Sequence, residues 1–403
     1  MIKERIHNFW NYSINSKQIY FLAFVIYFVC NFIQDTTLSE AVNGHLLRLF
    51  SYLVLPLLFF KIFLLDNWNK RDLIIIILIT ILGLITWRKA HDVQLLFIVP
   101  FVIGAKNVNF RDIVKWYLYL NIFLIISMAI FSLLDIIPNL VYRAAPRPPR
   151  YSLGLIYTSS IATHYFYLVL AYCYLRFKDL KWFDYLIIIT GNVVCMWITN
   201  TKLDFIATFL IIPVMIIAQR AYKGNKYSRI FASFWWIAVP FTAALIIFTS
   251  YFYESSNHIM EKINSITSGR LTLGHKALTQ YNIKMFGQTI VEHTYGGSKG
   301  LKLANQMNGV NHYFFIDSSY VRMLVLWGSL VFLLAIICMT YIALRSTFDK
   351  VFVLSGIILI ASLNFMFEPD IIKIFYNPFL LALFATPGFY KVQEDKINES
   401  KRN

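Results

Sequence analysis

A chain of 403 residues that is 58% hydrophobic, 17% aromatic and only 14% charged, with a mean hydropathy of +0.59, lies outside the range of soluble domains. Its formal charge of +16 sits largely in short segments between apolar runs, so membrane topology accounts for it and no nucleic-acid partner is needed. The runs have the length of membrane helices and lack the alternation of barrel strands, which predicts an all-α polytopic membrane protein with a single helical membrane domain over residues 1–403.

In chain order the expected spans are 18–34, 46–65, 73–87, 93–105, 113–137, 155–175, 183–199, 203–219, 230–252, 319–344, 351–367 and 371–387, twelve in all. The first follows Lys3, Arg5 and Lys17 with no small-residue cleavage site, so it reads as a retained helix. The fourth is short and carries Pro100, which suits a re-entrant element or one held by its neighbours. Cys30, Cys173, Cys195 and Cys338 all fall in spans without paired spacing. They read as packing residues, and neither a disulfide frame nor a metal site is expected.

An even number of spans puts both termini on one side. Lys70 and Arg71, Lys106 and Arg111, Arg176 to Lys181, Arg220 to Arg229, Arg345, Lys350 and the basic tail mark that side as cytoplasmic. Two segments then lie outside. Residues 138–154, PNLVYRAAPRPPRYSLG, carry Arg143, Arg147 and Arg150 where positive charge is normally scarce. Prolines 146, 148 and 149 stiffen this loop, so an anionic partner is expected for it, with lipid headgroups as the plain alternative. Residues 253–318 form a large extracytoplasmic loop rich in Gly, His, Asn and Lys.

Further ionisable residues gather on the same side: Arg48, Arg88, Lys89, His91, Asp92, Asp135, Lys202, Asp204, Arg322, Glu368, Asp370 and Lys373. Singly each reads as a solvated turn charge, but together they suggest a water-filled outer cavity. Within the large loop, Ser268-Gly269-Arg270 precedes Leu271 to Phe286, where Leu271, Leu278, Tyr281 and Met285 share one helical face. This predicts an amphipathic helix resting on the surface or capping the cavity. Gly287, Gly296, Gly297, Gly300 and Gly309 make the next stretch a candidate lid. It ends in Asn311-His312-Tyr313 and Asp317-Ser318-Ser319-Tyr320, which bring a His and a carboxylate close to Arg322.

With these elements in place, the chain resembles the Wzy-type polysaccharide polymerases of O-antigen, capsule and exopolysaccharide assembly over nearly its whole length. The resemblance rests on KNVNFRDIVKWYLYLN before the fifth span, Arg150-Tyr-Ser-Leu-Gly154, the Thr201-Lys202 turn, Ser268-Gly269-Arg270, and Asp317-Ser-Ser-Tyr320 with Gly328. Where the family often has His-Pro-Asn after the sixth-span glycine, this chain has Tyr157-Thr158-Ser159, and it has Lys202 where Arg is frequent.

The resemblance implies a glycosyltransferase of the bacterial cytoplasmic membrane whose active site faces outward. Its donor would be an oligosaccharide on undecaprenyl diphosphate, transferred to a hydroxyl of the next lipid-linked repeat unit. It would work without a cofactor, beside membrane lipids and the flippase and chain-length regulator of the same pathway. Arg150, Arg270 and Lys202 are the expected diphosphate ligands, with Arg88, Arg143 and Arg322 in support. His312 or Asp317 is the expected base, and Tyr320 is one of several outer tyrosines expected to stack on sugars. The sequence also leaves open a ligase that hands finished glycan to another acceptor, and a lipid-linked oligosaccharide flippase.

Overall fold

The computed structural model describes residues 15–143, 147–306 and 313–387. Asparagine opens many of its helices, because its short amide accepts a hydrogen bond from the otherwise unpaired N–H groups of the first turn. Asn15 does so for α1 (Ser16–Gln34), Asn43 for α2 (Gly44–Tyr52) and Asn109 for α6 (Phe110–Leu133). Between the last two lie α3 (Val54–Phe60), α4 (Lys70–Ala90) and α5 (Gln94–Gly104). A two-residue ribbon follows, β1 (Val141–Tyr142) against β2 (Arg150–Tyr151), then α7 (Thr158–Arg176), α8 (Trp182–Thr199) and α9 (Lys202–Tyr222). Asn225 caps α10 (Lys226–Ala232), which leads to α11 (Ala238–Tyr251), and Asn257 caps α12 (His258–Ile266). The remainder is α13 (Arg270–Gln280), α14 (Gly297–Gln306), α15 (Ser319–Arg322) capped by Ser318, α16 (Ser329–Phe348) and α17 (Phe352–Asn364).

Among the described residues, 8 helices are long and apolar enough to cross a bilayer: α1, Gly44–Leu65, α4, α6, α8, α9, Lys226–Tyr251 and α16. The chain is a multi-pass membrane protein. Two more apolar helices, α5 and α17, are shorter. Helix α7 is long but carries buried Thr158, Ser160, Thr163 and His164, and it runs through the interior of the bundle instead of along its surface.

The sequence expectation of a helical span at 371–387 is not met. Residues 371–378 turn irregularly and only Phe379–Leu383 forms a short 3-10 helix, although most of the segment is buried. Pro369 and Pro378 bracket it, and the Asn377 side chain takes over the backbone's role. Its amide donates to the Ile371 carbonyl at 2.9 Å and its oxygen accepts the Phe379 N–H at 3.1 Å. Tyr117 donates to the Tyr376 carbonyl at 2.6 Å. Non-helical backbone is tolerated at such depth only when protein groups satisfy it, and here they do.

The run expected at 319–344 is also broken. A π turn at Met323–Trp327 ends at Gly328, whose φ of 91° suits glycine, and α16 starts there. The break admits the loop backbone, with the Gln288 N–H bonded to Leu326 O at 3.0 Å and the Ser329 N–H to Lys284 O at 3.0 Å. A Cβ on Gly328 would stand 2.3 Å from the Gly287 nitrogen, so glycine is required by contact as well as by conformation. The 253–318 segment is thereby stitched to the bundle. Helix α13 is shorter than the sequence suggests. It ends at Gln280 and buries Leu271, Gly274 and Ala277 against the helix ends. The exposed apolar stripe belongs to α12, through Ile259, Ile263 and Ile266.

Candidate functional site

The 138–154 arm is held by its closing residues. Ser152 accepts the Leu140 N–H at 3.1 Å through its hydroxyl and donates its own N–H to Leu140 O at 3.1 Å. Leu153 and Gly154 both take positive φ, and a Cβ on Gly154 would meet Met128 O at 2.9 Å. The turn passes so close to α6 that only glycine fits. The Gly154 carbonyl accepts the Thr37 N–H at 2.8 Å, which ties the arm to the end of α1. Tyr142, opposite Arg150 in the ribbon, donates to Ile156 O at 2.8 Å. Arg150 therefore projects from a braced strand. Its Nε donates to Thr199 O at 2.7 Å, at the carbonyl end of α8 where the helix dipole favours a cation.

Asn200 takes a left-handed turn after α8, and Thr201-Lys202 starts α9. Ser268 and Gly269 are also left-handed, with φ of 58° and 84°, and they turn the chain into α13 with Arg270 as its first residue. Nothing lies within 4 Å of a Cβ on Gly269, so conformation alone asks for glycine there. Asn264 fastens the turn by accepting the Thr272 N–H at 3.1 Å. The Arg270 guanidinium donates to Phe367 O at 2.7 Å, Thr267 O at 3.2 Å and Glu368 Oε1 at 2.9 Å. Two of its five N–H groups remain for a ligand.

These elements surround a cavity of about 540 Å³. Arg147, Arg150, Lys202 and Arg270 line it, and so do Asp317 and Glu368, which makes four cations against two carboxylates. The first residues of α7, α9 and α13 line it as well: Thr158 and Ser159, Lys202 and Leu203, Arg270 and Thr272. The N-cap residues of α7 and α9, Tyr157 and Thr201, make no side-chain bond to the first turn, and in α13 Asn264 takes the Thr272 N–H and leaves those of Arg270 and Leu271. Helix N-termini carry partial positive charge and free N–H groups, each contributing about 0.3–1 kcal/mol toward a nearby anion. Three of them join four basic side chains around one space. The chemistry of that wall is anion binding.

Neither Arg150 nor Lys202 has an ion-pair partner among the described residues. Burial, and then the like charges of Arg147 and Arg270, push the pKa of Arg150 down. An incoming anion relieves that repulsion. For Arg270, burial opposes the charge, but Glu368 and Asp317 outweigh it and the pKa rises. Asp317 faces the cavity and makes no side-chain hydrogen bond among the described residues. Burial lifts its carboxyl above the usual range, with Arg270 and Arg322 pulling down and Glu292 pushing up. A carboxylate raised in this way and open to a cavity is suited to accept a proton from a hydroxyl.

Other residues singled out from the sequence lie elsewhere. Arg322 is engaged in a two-pronged pair with Glu292, at 2.7 and 2.9 Å, and Glu292 Oε1 also accepts the Ile316 N–H at 3.0 Å. Its role is to hold the 313–318 segment, and so Asp317, in place. Tyr320 is fully buried, and its hydroxyl bonds with Thr242 at 2.9 Å and with Ser362 O at 3.2 Å, which corrects the expectation of a sugar platform. Tyr320→Phe should lower stability by about 1 kcal/mol without changing activity per folded molecule, read from a melting curve in detergent beside a rate. Arg88 is exposed in the last turn of α4, and Arg143 is exposed beside β1; neither lines the cavity. His312 lies outside the described residues.

The structure adds Arg147, Glu368, Tyr142 and Tyr157 to the lining. The signal for Arg147 was its place among the outer-loop arginines of residues 138–154. Glu368 carried none beyond its place in a charged turn. Searches against protein-family models, curated proteins and solved structures give no match to this chain.

Proposed function

We propose that this protein polymerises lipid-linked oligosaccharide repeat units in the manner of the Wzy-type polymerases. It transfers the growing glycan from undecaprenyl diphosphate to a hydroxyl of the next lipid-linked unit, at the outer face of the bacterial cytoplasmic membrane. The observation that carries the reading is the convergence of three helix N-termini with Arg147, Arg150, Lys202 and Arg270 on one cavity whose wall also holds the Asp317 carboxylate, which has no ion-pair partner among the described residues.

In the proposed step the acceptor hydroxyl gives its proton to Asp317 as its oxygen bonds to the anomeric carbon. The bond from that carbon to the diphosphate oxygen breaks, and the electron pair leaves with the lipid diphosphate. Charge grows on the leaving oxygen. Arginines and helix N–H groups fixed in advance stabilise that charge without reorganising. The volume is within the range of ordinary ligand pockets and holds a diphosphate with the sugars next to it.

The test is the length profile of surface glycan in cells lacking the protein and in cells complemented with it. Single repeat units at the surface of the null strain, restored to long chains by the wild type, support polymerisation. Long chains held on the lipid carrier at the outer face point to a ligase, and repeats trapped at the inner face point to a transporter; either result defeats the reading.

A further inference from the structure

Beside the basic cavity lies a second chamber of about 110 Å³. The two share Tyr157, Ser159, Tyr313, Asp317 and Glu368, so they adjoin along a common wall. Their linings have opposite character. The smaller chamber is walled by Asp35, Asp317, Glu368 and Asp370, with Lys373 as its one lining cation. That lysine pairs with Asp370 at 2.8 Å, and Glu368 pairs with Arg270 at 2.9 Å. Asp35 and Asp317 remain without a cation in contact. Asp35 accepts a hydrogen bond from the Tyr376 hydroxyl at 2.5 Å. Burial raises the Asp35 carboxyl to about 6, with Lys373 and the Tyr376 hydroxyl pulling the other way. Hydroxyl groups of Ser160, Thr163 and Thr294 complete the polar wall, and the rings of Tyr313 and Phe315 supply flat apolar faces.

Resting on the polymerase reading above, we infer that this chamber is the subsite for the terminal sugar of the acceptor, and that it selects a neutral or amino sugar over a uronic acid. Carboxylates and serine or threonine hydroxyls accept hydrogen bonds from sugar O–H and N–H groups, and tyrosine faces cover the ring. A sugar carboxylate placed here meets Asp35 and Asp317 while the three cations acting on them, Lys373, Arg270 and Arg322, are already paired with Asp370, Glu368 and Glu292. Like charges in a desolvated space repel strongly, which makes the chamber a filter as well as a binding site. The volume is below that of a full ligand pocket, so it takes the end of the acceptor while the larger cavity takes the diphosphate and its adjoining sugars. Asp317 stands on the shared wall, where the acceptor hydroxyl would meet the donor carbon.

The experiment uses the full chain in lipid nanodiscs and measures binding of methyl glycosides of a neutral hexose, an amino sugar and a uronic acid by ligand-observed NMR. Geranyl diphosphate binding is measured in parallel as a probe of the basic cavity. The expected result is binding of the neutral and amino glycosides with the uronic acid at least about 10-fold weaker, a difference of about 1.4 kcal/mol. Asp35→Asn should narrow that ratio while keeping the size of the side chain. Equal binding of all three glycosides, or binding of none, by wild-type protein that still binds geranyl diphosphate overturns the subsite, whether or not the variant folds. Failure of geranyl diphosphate to bind defeats the diphosphate reading instead, and sugar discrimination would then stand by itself.

Discussion

Replacing Arg150 by alanine is expected to lower the rate of glycan transfer by about 10²–10³-fold, the loss typical of removing one fixed donor to a developing oxyanion. Arg150 is unlike Arg270, because no carboxylate is paired with it. Its Nε is committed to Thr199 O at 2.7 Å, which fixes the plane of the guanidinium and leaves the Nη groups toward the cavity. Arg150→Lys should recover little of the rate. An ammonium cannot hold Thr199 and also present two parallel N–H groups to a diphosphate. Arg270→Ala is a poorer probe, since it leaves Glu368 buried without its partner and destabilises the fold. The measurement is elongation of lipid-linked repeat units by protein in nanodiscs, with geranyl diphosphate affinity alongside. A wild-type rate in Arg150→Ala would remove the arginine from the mechanism.

The sequence made the membrane class plain because bilayer burial demands long apolar helices, and such runs are visible as composition. It made the fate of 371–387 unreadable for the same reason. A buried irregular segment and a lipid-crossing helix both exclude water, so hydropathy alone does not separate them. Pro369, Pro378 and the short amide of Asn377, which bonds to the nearby Ile371 and Phe379, were the local signs, and the partner that sequence could not show was the remote Tyr117.

Arg150, Lys202, Arg270 and Asp317 could be singled out by chemical type beside turns, and the folded chain brings all four to one cavity. Arg322 and Tyr320, close to Asp317 in sequence, face elsewhere. Helix α15 begins at Ser319 and turns Tyr320 inward toward Thr242, while Glu292, from a distant part of the loop, captures Arg322. Nearness in sequence fixes neither the face of a helix nor a partner 30 residues away. The convergence of the starts of α7, α9 and α13 is legible only afterwards, once they are seen to share one space.

Asp317→Asn is expected to lower transfer by about 10²–10⁴-fold, the range of a lost general base, while geranyl diphosphate binds as well as before or better. The amide keeps the size of the carboxyl and removes a negative charge near Arg270, so a fall in diphosphate affinity would instead signal damage to the fold. The pH profile separates a base from a spectator. Burial holds the Asp317 carboxyl above the ordinary carboxylate range, so its proton comes off later than usual as pH rises. The rate should therefore fall on the acid side at a pH above that of an unperturbed aspartate. Glu292 contributes to the upward shift, and Arg322 opposes it. Glu292→Gln removes the first and leaves the second less neutralised, which lowers the Asp317 pKa and moves the acid limb of kcat to lower pH. A limb that stays in place in Glu292→Gln would show that Asp317 does not set it, and full transfer by Asp317→Asn with loss in His312→Ala would reassign the base to His312. Glu292→Gln also loses the charge of its pair with Arg322, which braces the segment carrying Asp317, so the position of its acid limb and not its plateau rate is the readout.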